Sequence, residues 1–190
     1  IIDTPGYPDF IGQTIAALHA VETAVIVINA HAGIEVNTRR VFAEAGKIGL
    51  GRVIVIDKMD SDNVDFESLV AEIQEVFGRQ CMPLEVPVGQ GAGFRGVVDA
   101  LHHPRATAGA VMDPVAIHTP LVETIIEVDD ETTAHYFDGI EPTDEELARD
   151  LQESIRQGHF IPILEVSGKT GVGVKELLDE LSLCALPPDA

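Results

Sequence analysis

Two textures of apolar residues alternate along this chain. Ala24-Val25-Ile26-Val27-Ile28 and Arg52-Val53-Ile54-Val55-Ile56 are continuous β-branched runs. Phe160-Ile161-Pro162-Ile163-Leu164-Glu165-Val166 continues the same texture much later. Such runs predict core strands of a parallel sheet, buried on both faces. Between them the apolar spacing changes to three and four. Ile11, Ile15 and Leu18 share one helical face, Val41, Ala45 and Ile48 another, and Phe66, Leu69, Ile73 and Val76 or Phe77 a third. Helices are therefore expected after Pro8, over Val36 to Ile48, over Asp65 to Phe77 and over Val174 to Leu183, with Gly49 to Gly51 closing the second. Strands alternating with helices predict a doubly wound α/β fold with right-handed crossovers.

From Cys81 the pattern departs from that alternation. Leu84 to Val88 and Phe94 to Asp99 read as two strands around Gly89-Gln90-Gly91-Ala92-Gly93. Gly91, Gly93 and Gly96 satisfy G-x-G-x-x-G, but a strand pattern follows where a dinucleotide site needs a helix, so a hairpin turn is expected. Residues 102–118 show little periodicity and are expected to be irregular. Residues 120–158 look helical, with Thr143 a cap ahead of Asp144, Glu145 and Glu146. The expected division is a core over 1–80, an inserted subdomain over 81–159, and a return to the core over 160–190.

Charge alters this picture more than composition does. The chain of 190 residues has a net charge of −20, and it is 45% hydrophobic. A nucleic-acid binder needs a basic footprint, so direct contact with RNA or DNA is not expected. Between Asp113 and Gln157 thirteen acids face two bases, Arg149 and Arg156. That stretch is either a solvated face or a docking surface for a basic partner. No apolar run is long enough to span a membrane. Cys81 and Cys184 stand alone, which fits a reducing cytoplasmic setting. The seven histidines form no metal spacing.

Candidate chemistry sits where the strand patterns end. Ile1-Ile2-Asp3-Thr4-Pro5-Gly6-Tyr7 reads as a strand end carrying a phosphate-sensing loop: Asp3 can hold Mg²⁺ through water, and Gly6 lets a backbone N–H approach a phosphate. An Asp-initiated turn is the plainer alternative. Asp57-Lys58-Met59-Asp60 follows the second strand run and Ser167-Gly168-Lys169-Thr170 the third. In open α/β sheets ligands bind at that carboxyl edge. Gly168-Lys169-Thr170 is not a P-loop, because G-x-x-x-x-G-K-[ST] would need glycine at Ile163.

In this order the three motifs resemble the later nucleotide motifs of translational GTPases, and the insertion resembles the subdomain that elongation factor G carries. Leu186-Pro187-Pro188-Asp189 is similar to the end of that GTPase domain. The resemblance implies a P-loop NTPase-like, Ras-like G domain of three layers, incomplete at its N-terminus. It implies GTP or GDP with Mg²⁺ as ligands of the longer parent, and the ribosome, through its stalk proteins, as partner. By it Asp60 accepts from the guanine edge, Lys58 lies along the base, Ser167 and Gly168 buttress the pocket, Asp3 reaches Mg²⁺ through water, and Gly6 reads the γ-phosphate. Two positions depart from the family. Asp57 stands where the family has Asn, placing a second acceptor beside an acceptor-rich base edge. Tyr7 stands where the family has its water-orienting His, as in a branch of elongation factor G-like paralogues, and slow hydrolysis is the expectation. The family's P-loop and first switch have no counterpart here. The chain, which starts inside a strand pattern without Met, is expected to be a fragment that neither binds GTP tightly nor hydrolyses it. Strand 24–28 would then have an open edge, inviting dimerisation. A ribosomal-protection relative and a degenerate scaffold that binds no nucleotide are the alternative readings.

Overall fold

The computed structural model describes residues 1–188; Asp189, the last residue of the motif that resembles a domain end, lies outside them. Four parallel strands form the main sheet in the order β1-β2-β6-β3, with β1 over Thr23–Asn29, β2 over Gly51–Asp57, β3 over Cys81–Pro83 and β6 over Ile161–Glu165. The three predicted runs are all present. β2 is the central case: Val53, Ile54, Val55 and Ile56 are all buried, because helices cover both of its faces.

β1 departs from expectation. It alternates, with Ala24, Ile26 and Ile28 buried and Val25 and Val27 exposed by 43% and 59%. The reason is its place in the sheet: it pairs with β2 alone and forms the edge. Ile1 and Ile2, predicted as a strand end, form no strand and are exposed. Two residues with no strand beside them have no ladder to join. They line, with Leu18, Val25, Leu178 and Leu181, an apolar groove of about 560 Å³ along this edge.

Pro8–Phe10 forms a 3₁₀ turn that runs into α1 (Ile11–Leu18), as the position of Pro8 predicts. α2 (Val36–Lys47) buries Phe42 and Ala45 and ends one residue before Ile48, which is exposed. α3 (Phe66–Phe77) buries Phe66, Leu69, Val70 and Ile73, and Asp65 caps it by accepting from the Ser68 N–H at 3.1 Å.

Cys81–Pro83 stays in the main sheet beside β6, so the chain leaves that sheet only at Leu84. β4 (Glu85–Val88) and β5 (Gly96–Asp99) then pair antiparallel around a 3₁₀ turn at Gly91–Gly93, the hairpin expected in place of a dinucleotide site. Residues 102–118 are not irregular throughout. α4 spans Pro114–Ile126, opened by Asp113, which accepts from the Val115 N–H at 3.0 Å, with Pro114 at the first helical position. The helical stretch is three helices, α4, α5 (Asp130–Phe137) and α6 (Asp144–Gln157). Thr143 and Glu146 close a reciprocal capping box at the start of α6. α4 and α6 pack Leu121, Val122, Ile125, Leu147, Leu151 and Ile155 onto the hairpin and sheet. α7 (Val174–Cys184) closes the described fold.

Candidate functional site at the carboxyl ends of β2 and β6

Parallel pairing of Ile56 with Glu165 brings the ends of β2 and β6 level, so the loops after them meet. The ladder runs on past the strands: the Val166 N–H donates to Ile56 at 2.9 Å and the Met59 N–H to Val166 at 3.2 Å. Met59, fully buried, anchors the loop from below and leaves Asp57, Lys58 and Asp60 above. Lys58 is one of two non-glycine residues with positive φ among the described residues, at 64°, and its N–H donates to the Asp57 Oδ1 at 2.7 Å.

Two side chains tie the loops together. Asp57 Oδ1 also accepts from the Gly168 N–H at 2.8 Å, and the Ser167 hydroxyl donates to Asp60 Oδ1 at 2.6 Å. Ser167 is itself buried, and it accepts from the Thr170 N–H at 3.1 Å. Its hydroxyl holds the Asp60 carboxyl below its usual range, aided by the backbone and by Lys169, whose Nζ lies 3.7 Å from Oδ2. Asp57, Lys58, Asp60, Ser61, Asp62 and Lys169 line an open cleft of about 470 Å³. The cleft offers two clamped carboxylates that act as acceptors, flanked by two exposed lysines.

Five of the predicted site residues, Asp57, Lys58, Asp60, Ser167 and Gly168, thus converge on one cleft. Asp3, Gly6 and Tyr7 do not join it. They lie in the extended N-terminal segment, where the Asn37 amide donates to the Gly6 carbonyl at 3.3 Å and Thr14 to the Pro5 carbonyl at 3.5 Å. Tyr7 is 75% exposed. Among the described residues no group of three or more His, Cys, Asp or Glu side chains could hold a metal ion, so Asp3 belongs to no such cluster. Sequence reasoning missed Lys169, whose pairing with Asp60 depends on the turn at Ser167–Gly171. It also missed the hairpin turn behind the cleft, where the Gly91 N–H donates to the Met59 carbonyl at 2.8 Å.

Comparison with known proteins shows the family of the chain. Residues 1–187 match the family described as the elongation factor Tu GTP binding domain. An elongation factor G-like protein of Thermotoga maritima is 34% identical over the whole chain, which covers 29% of that protein. One of Mycobacterium tuberculosis is 32% identical over 94% of the chain, which covers 26% of it. A Thermus thermophilus protein known from its crystal structure superposes with a TM-score of 0.84 at 29% identity, over 97% of this chain and 29% of its own. The chain spans less than a third of the length of these relatives. With a family match over nearly its full length and a parallel sheet that superposes on that of the Thermus protein, the chain belongs to the elongation factor Tu GTP-binding domain family and is similar in sequence to elongation factor G-like proteins.

Proposed function

We propose that the cleft after β2 and β6 is the base-binding half of a guanine nucleotide site, in a translation factor that acts on the ribosome in the cytoplasm. The observation that carries this reading is the clamped Asp60. Guanine presents neighbouring N1–H and N2–H donors, which a carboxylate held by Ser167 can accept together, whereas adenine offers no such pair and would leave the carboxylate unmet. Lys58, exposed beside it, lays its aliphatic stem along the base. Ser167 and Gly168 act by holding the two acids in place.

Phosphate chemistry needs more than these residues. The sequence contains no G-x-x-x-x-G-K-[ST]. Asp3 would meet Mg²⁺ and Gly6 the γ-phosphate only once a phosphate-binding loop stands beside them, with Tyr7 near the attacking water. The chain by itself therefore neither binds GTP tightly nor hydrolyses it. Replacing Asp57 by Asn tests the base assignment. Asn keeps the oxygen that accepts from Gly168 and gains an amide donor for the acceptor-rich edge of guanine. Calorimetry on the full-length protein is expected to show GDP binding about tenfold tighter in Asp57→Asn, the worth of one added hydrogen bond to a base. Unchanged affinity would mean that the base lies elsewhere.

The inserted segment, from Leu84 to the start of β6, is proposed as the partner surface. α4, α5 and α6 expose most of their acids, and a basic ribosomal stalk domain is the expected occupant. Glu145 is the informative position, since it is exposed and outside the capping box, whereas Glu146 accepts from the Thr143 N–H at 2.8 Å and its loss would unfold the helix start. Glu145→Lys should weaken stalk binding several-fold in low salt and lower the melting temperature only slightly, through the charge reversal in the first turn; the binding difference should vanish as salt is raised. Binding insensitive to both changes would exclude this surface.

At the other end of the sheet, the bare edge of β1 with its apolar groove supports self-association of the isolated chain. Light scattering should show a dimer at high concentration and a monomer after Val27→Lys. A wild-type monomer under those conditions would contradict it.

A further inference from the structure

The hairpin turn between β4 and β5 lies directly behind the base-binding loop and is fastened to it at two points. The Gly91 N–H donates to the Met59 carbonyl at 2.8 Å, and the Gln90 side-chain oxygen accepts from the Phe66 N–H at 3.0 Å. The second bond is unusual in origin. Phe66 opens α3, and its N–H is one of the donors that a helix start leaves unpaired. Asp65 serves Ser68 instead, so the partner of Phe66 comes from a residue 24 positions away. Between the two fastened points lie Asp60 and the turn that leads into α3.

The rest of the hairpin makes this grip stiff. Phe94, buried, packs into the same cluster as Met59, Val64 and Phe66. A Cβ at Gly91, whose φ is +60°, would meet the Ser61 carbonyl at 3.2 Å, so the turn and the loop touch backbone to backbone. On its far side the hairpin is continuous with the acidic helices. Val86, Ala100 and Leu101 share one core with Leu121, Val122 and Ile125 of α4. His118 of α4 is bonded through Nδ1 to the Ala100 carbonyl at 3.0 Å.

We infer that Gln90 is a positioning residue for the nucleotide site, through which the inserted segment sets the conformation of the loop that presents Asp60. This rests on the guanine reading of that loop. Without the Gln90 acceptor, the Phe66 N–H at a buried helix start has no protein partner, and the segment from Met59 to Phe66 can part from the hairpin. A partner seated on α4 then acts on the base pocket through a rigid body, with Gln90 and Gly91 as its two contacts.

Two variants separate this role from mere stability. Gln90→Glu keeps a side-chain oxygen for Phe66, and Gln90→Leu removes it at nearly constant size. In this chain, amide exchange of Phe66 should stay protected in the wild type and in Gln90→Glu and speed up at least tenfold in Gln90→Leu. In the full-length protein, GDP affinity should fall about tenfold in Gln90→Leu and be restored in Gln90→Glu, the worth of one hydrogen bond. If the full-length protein binds GDP but Gln90→Leu binds equally well, the inference fails and the guanine reading stands. If the wild type binds no GDP, both fall. Equal loss in both variants would also overturn the inference, since it would show general destabilisation in place of a specific contact.

Discussion

Glu165→Gln is expected to raise the melting temperature of this chain at pH 8 by several degrees and to change it little at pH 5. Glu165 ends β6, is fully buried, and among the described residues neither of its carboxylate oxygens has a hydrogen-bond partner. Burial pushes its carboxyl well above the usual range, and the nearby Glu85 adds to this. Glu85, on the hairpin, is pushed up to about 8, chiefly by burial and then by Glu180, Glu176, Asp99 and Asp179. Glu180 on α7 is also raised, again by burial first. The sign follows from linkage. Each of these acids has a folded pKa above its unfolded value of 4.5, so its stabilising protonated form is fully favourable below that value. Stability is lost as pH rises, for Glu85 through about 8. Each unit between the two values costs about 1.4 kcal/mol per group. His102, raised mainly by its hydrogen bond to Asp99, works in the same direction, as does the relief of repulsion within a chain of net charge −20. The comparison with Gln isolates Glu165 from these background effects. An amide needs no proton to be neutral, so the variant avoids burying a charge and should unfold at a higher temperature than the wild type at pH 8. Thermal unfolding by circular dichroism at the two pH values reads this directly. Equal shifts at both would show that Glu165 titrates normally.

The second large effect is expected at Asp60. Asp60→Ala removes the acceptor proposed for both guanine donors, a bidentate and charge-assisted pair and so among the strongest contacts a base can make. GDP affinity of the full-length protein should fall by about a hundredfold or more. The fold should survive, because the neighbouring clamp from Asp57 to Gly168 and the Met59 anchor are untouched. Ser167→Ala should be milder, since the carboxylate remains and loses only its hydroxyl partner. An Asp60→Ala protein that binds GDP as tightly as the wild type would place the base outside this cleft.

Much of this site was legible in the sequence for a physical reason. A buried parallel strand must be apolar along its whole length, so its carboxyl end is marked where the run stops, and Asp57 and Ser167 stand at those stops. That the two stops meet depends on β2 and β6 being neighbours, which local periodicity does not encode across such a long separation in the chain. The resemblance to translational GTPases supplied that link. Other features were illegible because they are set by tertiary context. Val25 and Val27 read as core by composition and are exposed because β1 is an edge. Ile1 and Ile2 have strand propensity but no neighbour to pair with. The first half of α4, residues 114–119, was hidden by Pro120 in the helix interior and by low amphipathicity, although Asp113-Pro114 gave a start signal. Gln90 could not be found at all, since its partner is the backbone of a distant helix.

The most direct test of the central claim is a calorimetric titration of GDP, and of GTP with Mg²⁺, into this chain and into the full-length protein. The expected result is saturable binding by the full-length protein, with no competition from ATP, and no tight binding by the chain alone. Silence from both would contradict the guanine site and favour a scaffold whose working surface is the acidic insertion. Tight GTP binding by the chain alone would contradict the dependence on a phosphate-binding loop.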